Sequence, residues 1–410
     1  MAGDSTQDLQ GRVGWVGLAT VWFGGLISVS ALLVGATLIQ GLSFGGVLLW
    51  GGLGFLLVGG CMALLGARAV QHQAGTGELA ARAFGTRGAQ LVLGVVVGVP
   101  LMGWFGVQSA IAAESVVRIV SMSFQRDWSF VAVTLALGAT MTVTAVIGFG
   151  ALKWLNYLAV PCKVALVVYG VGRVLAEQGL GPVLAWQPQP AHAFEPLKAI
   201  GLAAGFVAVA AVIAPDYARQ ARTPRDAVLG CLLGLVPASV ALAGCGAVLA
   251  IARNTHDIVE IYAGMGLPLL ALTMLIVATW TTNVMNVYSA GLALAGLLGW
   301  GPARRGLATA IAGLLGSALA VAGILGKLLG FLSLLTATVL PIAGVMIAAW
   351  WLVPRAPQAR SWHAAGLLSW LAGAGTVLAM AHPARDLLGP VVAALVFVLL
   401  SRAARPAPAP

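Results

Sequence analysis

Charge is what this sequence has least of. Of 410 residues, 12 are Asp or Glu and 22 are Lys or Arg, 8% in all, while 60% are hydrophobic. That little polar surface cannot cover a water-soluble fold of this length. Cysteine is scarce: Cys61, Cys162, Cys231 and Cys245 all lie in apolar stretches without CxxC spacing or a nearby His. Neither a disulfide framework nor a zinc site is supported, and the four read as helix packing. Histidine is missing from the interior of the apolar runs, since His72, His192, His256 and His382 fall in connectors and His363 at the very start of a run, which argues against an intramembrane His relay. HExxH and a GxxxxGKS/T phosphate loop are absent, as are paired carboxylates on an apolar helix, so no enzyme and no ATP-driven pump is read. The alternating pattern of a β-barrel is absent as well.

What is present is a series of about twelve apolar runs, near 13–40, 44–70, 89–120, 128–150, 151–176, 197–221, 226–252, 264–298, 305–325, 328–353, 362–381 and 386–402. A bilayer needs about 20 apolar residues per helix. The chain is therefore expected to be an all-α integral membrane protein with twelve transmembrane helices. Its 54 glycines suit helices that approach closely in lipid. The net charge of +10 would suggest an acidic partner in a soluble protein. Here the basic residues sit between apolar runs and mark topology: fourteen of the 22 fall in the tails and even-numbered connectors, seven in the others, and Lys163 lies within a span. That twofold excess places both termini in the cytoplasm. Met1 to Gly11 is polar, and the run after it is too long for a signal peptide. The segment 1–12 reads as a cytoplasmic tail, as does 403–410.

Two spans carry interruptions that a simple anchor does not need. The first contains Gly24-Gly25 followed by Ser28-Val29-Ser30. The sixth contains Gly205-Phe206 and ends in Ala214-Pro215-Asp216-Tyr217. A broken helix leaves main-chain groups unpaired in lipid unless they line a cavity. The first and sixth spans are corresponding members of two five-helix halves, 13–176 and 197–353, with two accessory helices over 362–402. That is the arrangement of an inverted-repeat transporter, with its site where the two breaks face each other.

Polar groups within the apolar runs are the remaining suspects. The eighth span holds Thr281, Thr282, Asn283 and Asn286, with both hydroxyls one turn from the Ala278 carbonyl, a spacing able to replace water around a hard monovalent cation. The same hydroxyls can also back-bond to their own helix. The third span, Pro100-Leu101-Met102-Gly103-Trp104-Phe105-Gly106-Val107-Gln108, combines a kink, an indole and an amide near mid-membrane, suited to stacking a planar heterocycle and pairing with its edge. Glu114 lies towards the outer surface. Asp216, beside Arg219 and Arg222, suggests a surface ion-pair cluster or inner gate, and Lys163, after Pro161-Cys162, is left without an assigned partner.

Three motifs carry a family resemblance: Gly103-Trp104-Phe105-Gly106-Val107-Gln108, Asp216-Tyr217-Ala218-Arg219-Gln220-Ala221-Arg222, and Trp280-Thr281-Thr282-Asn283 followed by Tyr288-Ser289-Ala290-Gly291-Leu292. In order and spacing they resemble the nucleobase:cation symporter-1 family, purine–cytosine permease type. The resemblance implies a LeuT-type fold of two inverted five-helix repeats plus two helices. It also implies inner-membrane import of cytosine or a related base by cation symport, with sodium, or else protons, as coupling ion and no other cofactor. Allantoin, hydantoin, a purine or a thiamine-precursor pyrimidine are the alternative cargoes, and a receptor or channel is the alternative class. By position, the cation would be held by Gly24, Ile27, Ala278, Thr281 and Thr282. The base would be held by Ser28, Trp104, Gln108, Phe206 and Asn283. This sequence departs from the family pattern at Val284 and Met285, where an acid and an amide are typical, and at Leu101, often Gln.

Overall fold

The computed structural model describes residues 12–147, 149–193, 195–353 and 361–403, with the backbone alone over 149–160. Most of both tails, and Arg355, Arg360 and Arg405 of the charge count, lie outside the described residues. Among those residues the fold is helical throughout, with one isolated parallel bridge, Val13 to Ala221. The helices are α1 (Trp15–Leu26), α2 (Val29–Leu38), α3 (Phe44–His72), α4 (Thr76–Phe84), α5 (Thr86–Phe124), α6 (Phe130–Ile147) and α7 (Phe149–Gln178). They continue with α8 (Pro196–Ala218), α9 (Pro224–Arg253), α10 (Ile258–Ala263), α11 (Pro268–Leu297), α12 (Arg305–Val321), α13 (Leu328–Ile347), α14 (Ala364–Ala379) and α15 (Arg385–Ala403).

Each expected span is occupied by helix. Among the described residues eight helices are long and apolar enough to cross a membrane, or nine if α1 and α2 form one bent span. Of the other three positions, α12 has 17 residues and α14 has 16, both shorter than a typical span. The third is α7, of 30 residues.

The first span is broken as expected. The axes of α1 and α2 differ by 71°. Ile27 closes α1 by donating its N–H to the Phe23 carbonyl at 3.2 Å, and Ser28, extended at φ −146°, caps α2 by accepting the Ala31 N–H at 3.3 Å. A serine hydroxyl replaces one missing helical bond at such an end, while the last carbonyls of α1 and the first amides of α2 have no helical partner. Both halves pack on α9. Residues 12–15 are anchored to the connector before that helix and to its first turn, with Val13 N–H donating to the Gln220 carbonyl at 2.8 Å and Trp15 N–H to Asp226 Oδ1 at 3.1 Å.

The sixth span is not broken, contrary to expectation. α8 runs without interruption from Pro196 to Ala218, through Gly205-Phe206, and Pro215 sits inside its last turn. Gly205 serves close packing instead of a hinge: a Cβ there would run into the Leu332 carbonyl of α13 and lie 2.6 Å from Thr336 Oγ1. The backbone of α8 can therefore touch α13, and Thr336 Oγ1 donates to the Gly201 carbonyl at 2.8 Å. Pro100 likewise lies inside the unbroken α5. The four cysteines are free, Cys231 buried and the other three half-buried.

Buried side chains form two groups. The larger joins α1, α2, α3, α8, α9 and α13, and a smaller one joins α5, α6, α11 and α12 through Met102, Phe105, Met141, Val284, Val287 and Ala312. α5 belongs to both: Trp104 faces the first group and Phe105 the second.

Candidate functional site

Trp104 is near the middle of the 39-residue α5 and is 7% exposed. Its ring stands across two phenylalanines, Phe206 of α8 (centroids 5.5 Å apart, 79° between planes) and Phe331 of α13 (5.2 Å, 75°). Phe55 of α3 extends the layer, edge-on to Phe206 at 6.4 Å. Gly103 makes this possible, because a Cβ on it would collide with the Phe331 ring. Gln108 lies one turn beyond Trp104 on the same face of α5. It is buried, and its Oε1 has no hydrogen-bond partner among the described residues. The Ser30 hydroxyl, just past the break between α1 and α2, is buried and unpartnered in the same sense. Buried polar atoms left without partners are unusual and call for a reason.

Cavities open at both ends of the bundle. One, of about 740 Å³, lies at the end remote from Val13 and is lined by Leu33, Thr37, Gln40, Glu114, His256 and Asp257 among others. The second, of about 370 Å³, lies at the opposite end, lined by Thr76, Gln90, Gly94, Val97, Asp216 and Ser289 among others. α5 reaches both. Gly94 is ten residues before Trp104 and Glu114 ten after it, so the aromatic layer lies about 15 Å along the helix from each cavity.

Of the residues expected to hold the base, Trp104 and Phe206 are in contact and Gln108 shares their face. Ser28 is the cap of α2. Asn283 is directed elsewhere. It is fully buried, and its amide donates to the Phe105 carbonyl at 3.1 Å and Ser109 Oγ at 2.8 Å, with Met141 Sδ at 3.2 Å. Phe105 and Ser109 lie about 100° around α5 from Trp104 and Gln108. The carboxamide thus joins α11 to α5 and α6 on a different face of α5 from the indole.

Asp216 does not form the expected ion-pair cluster: its Oδ1 accepts the Thr76 N–H at 2.9 Å, capping the start of α4 from α8. Among the described residues it appears in no ion pair. Phe331 and Phe55 were not anticipated from sequence. The sequence sign of Phe331 was the glycine preceding Trp104, which leaves room for a ring from another helix.

Of the residues expected to hold a cation, Ala278, Thr281 and Thr282 cluster. Both hydroxyls point back to the Ala278 carbonyl, at 3.3 and 3.5 Å. Thr282 Oγ1 also accepts a hydrogen bond from Lys163 Nζ of α7 at 2.8 Å. Gly24 is exposed near the end of α1, and no hydrogen bond among the described residues joins the α1–α2 break to the threonines. With the Lys163 ammonium on Thr282, these oxygens do not fit sodium. An ion ligated by Thr282 would share that oxygen with an ammonium and lie within about 5 Å of it. Two unit charges about 4 Å apart repel by about 4 kcal/mol even at an effective dielectric constant of 20.

A multi-pass helical bundle with a broken first span, an aromatic layer at mid-depth and a cavity at either end defines a membrane transporter. The family model described as a permease for cytosine/purines, uracil, thiamine and allantoin matches residues 10–363. The chain belongs to this family, the purine–cytosine permeases of the nucleobase:cation symporter-1 group. It is 30% identical over 338 residues to the cytosine permease of Escherichia coli K12, covering 82% of this chain and 78% of the relative. It is 27% identical over 301 residues to the hydantoin permease of Microbacterium maritypicum, covering 66% and 59%. Among solved structures, the inward-facing conformation of Mhp1 superposes with a TM-score of 0.80 at 20% identity, over 96% of this chain and 91% of the other. The closed, bromovinylhydantoin-bound form of Mhp1 superposes at 0.75 and 21% identity, over 96% and 93%. These relatives are permeases, and the chain is a transporter and not an enzyme.

Proposed function

We propose that this protein imports cytosine or a closely related planar heterocycle across the inner membrane by alternating access, with both termini in the cytoplasm. Twelve spans arranged as two inverted five-helix repeats, 13–176 and 197–353, followed by two accessory helices, are part of this reading. The observation that carries it is the aromatic layer of Trp104, Phe206 and Phe331, placed midway between two opposed cavities. A flat ring entering from either cavity meets the indole and the unpartnered Gln108 Oε1, which can accept a hydrogen bond from an exocyclic amine or ring N–H. Apolar stacking surfaces with few polar groups are the general form of a small-ligand site. Main chain and hydroxyls at the α1–α2 break, around Ser28 and Ser30, supply further polar contacts. The 30% identity to a cytosine permease supports cytosine as the first choice, and the likeness to a hydantoin permease makes hydantoins the second.

The test is uptake of radiolabelled cytosine into proteoliposomes, competed by unlabelled cytosine, uracil, adenine, allantoin, hydantoin and a thiamine-precursor pyrimidine. Cytosine is expected to compete most strongly. Dominant competition by hydantoin or allantoin would reassign the cargo, and indifference to every planar heterocycle would overturn the reading.

A further inference from the structure

Lys163 is the fifteenth residue of the 30-residue α7, and Thr282 is the fifteenth of the 30-residue α11. Their contact is therefore at mid-depth, where an ammonium is expensive and is found only with a specific role or partner. Lys163 is 8% exposed, and none of the ion pairs among the described residues includes it. What it meets is oxygen. Thr282 Oγ1 accepts from Nζ at 2.8 Å, and the neighbouring Thr281 hydroxyl and Ala278 carbonyl lie on the same turn. Hydroxyl and carbonyl oxygens without a carboxylate are the surroundings that suit a desolvated monovalent cation.

We propose that the Lys163 ammonium is the resident cation of this site, tethered to α7 and standing where the family resemblance implies sodium, so that the chain binds and carries its heterocycle without sodium. A tethered charge neither dissociates nor depends on the salt outside. It links α7 to α11 permanently, whereas a free ion would link its ligands only when bound. The role of the position therefore shifts from coupling an external ion to holding two helices in register.

The decisive measurement uses the purified full-length protein and sodium alone. Its thermal unfolding midpoint is followed as sodium chloride replaces choline chloride at constant ionic strength. An ion that binds the folded state raises the midpoint in a saturable way. The wild type is expected to unfold at the same temperature in both salts at every sodium concentration. Lys163→Ala and Lys163→Gln are expected to gain a saturable, sodium-specific rise, because removing the ammonium leaves its oxygens available. Thr282→Ala added to Lys163→Ala is expected to abolish that rise. A saturable sodium-specific rise in the wild type overturns the proposal, as do lysine variants that stay insensitive to sodium. If neither lysine variant folds, the wild-type titration decides alone.

A second arm rests on the heterocycle reading. Labelled cytosine uptake is expected to be equal in sodium and choline buffers, and stimulation by sodium of about tenfold, or 1.4 kcal/mol, overturns the proposal. The midpoint titration needs no substrate, so a failed competition panel leaves it readable and the two readings can fail separately.

Discussion

The Phe331 ring occupies the space that a side chain at Gly103 would need, and from there it holds the neighbouring Trp104 ring at 5.2 Å in a perpendicular contact. One missing methyl group thus fixes how α13 meets α5 and which way the indole can face.

Gly103→Ala is expected to push Phe331 away and loosen the aromatic layer. Overpacking of this kind costs about 1–3 kcal/mol. A lowered unfolding midpoint together with weakened cytosine binding is the expected outcome, and Phe331→Leu in the same chain should restore part of the stability. A midpoint identical to wild type would show that the two helices do not meet here.

Trp104→Ala is expected to remove the stacking surface. Stacking of a base on an aromatic side chain is worth about 1–3 kcal/mol, so affinity should fall roughly 5- to 150-fold. Calorimetric titration of the purified variant with cytosine would measure this. Wild-type affinity would remove Trp104 from the site.

Asn283→Ala is expected to act mainly on stability. The variant loses the bonds to the Phe105 carbonyl and Ser109 Oγ, and an unpaired buried partner costs about 1–3 kcal/mol. Unfolding midpoint and binding affinity measured on one preparation separate the roles. A stable variant that no longer binds cytosine would return Asn283 to the base site.

Glycines in the first and sixth spans are expected to respond in opposite ways. Gly205→Ala meets the Leu332 carbonyl and should destabilise strongly, by more than the about 1 kcal/mol that alanine normally gains over glycine in a helix. A Cβ at Gly24 meets nothing within 4 Å, so Gly24→Ala should leave the midpoint unchanged or raise it. Thermal unfolding of the two variants side by side checks this; equal effects would count against the packing described.

The helical architecture was legible because apolar runs of span length have few other interpretations. The first break was legible for a local reason: a serine able to cap a new helix, Ser28, stood three residues after the flexible pair Gly24-Gly25. The sixth-span expectation failed because a glycine inside a helix signals either a bend or a close approach. The choice between them depends on Leu332 and Thr336, more than 120 residues away. Lys163 was visible as a charge within an apolar run, yet its partner is 119 positions further along. Asn283 was recognisable as an intramembrane amide, but which neighbouring face it meets is set by the rotation of α11 against α5, and composition holds no information about that angle.

Because α1 and α2 are both seated on α9, the kink between them cannot open by swinging one arm while its companion stays still. Peeling either arm from α9 would expose tightly matched backbone to lipid. The two buried groups meet at α5, with Trp104 on one side and Phe105 on the other, so a shift of either group against that helix would change the cradle around the indole.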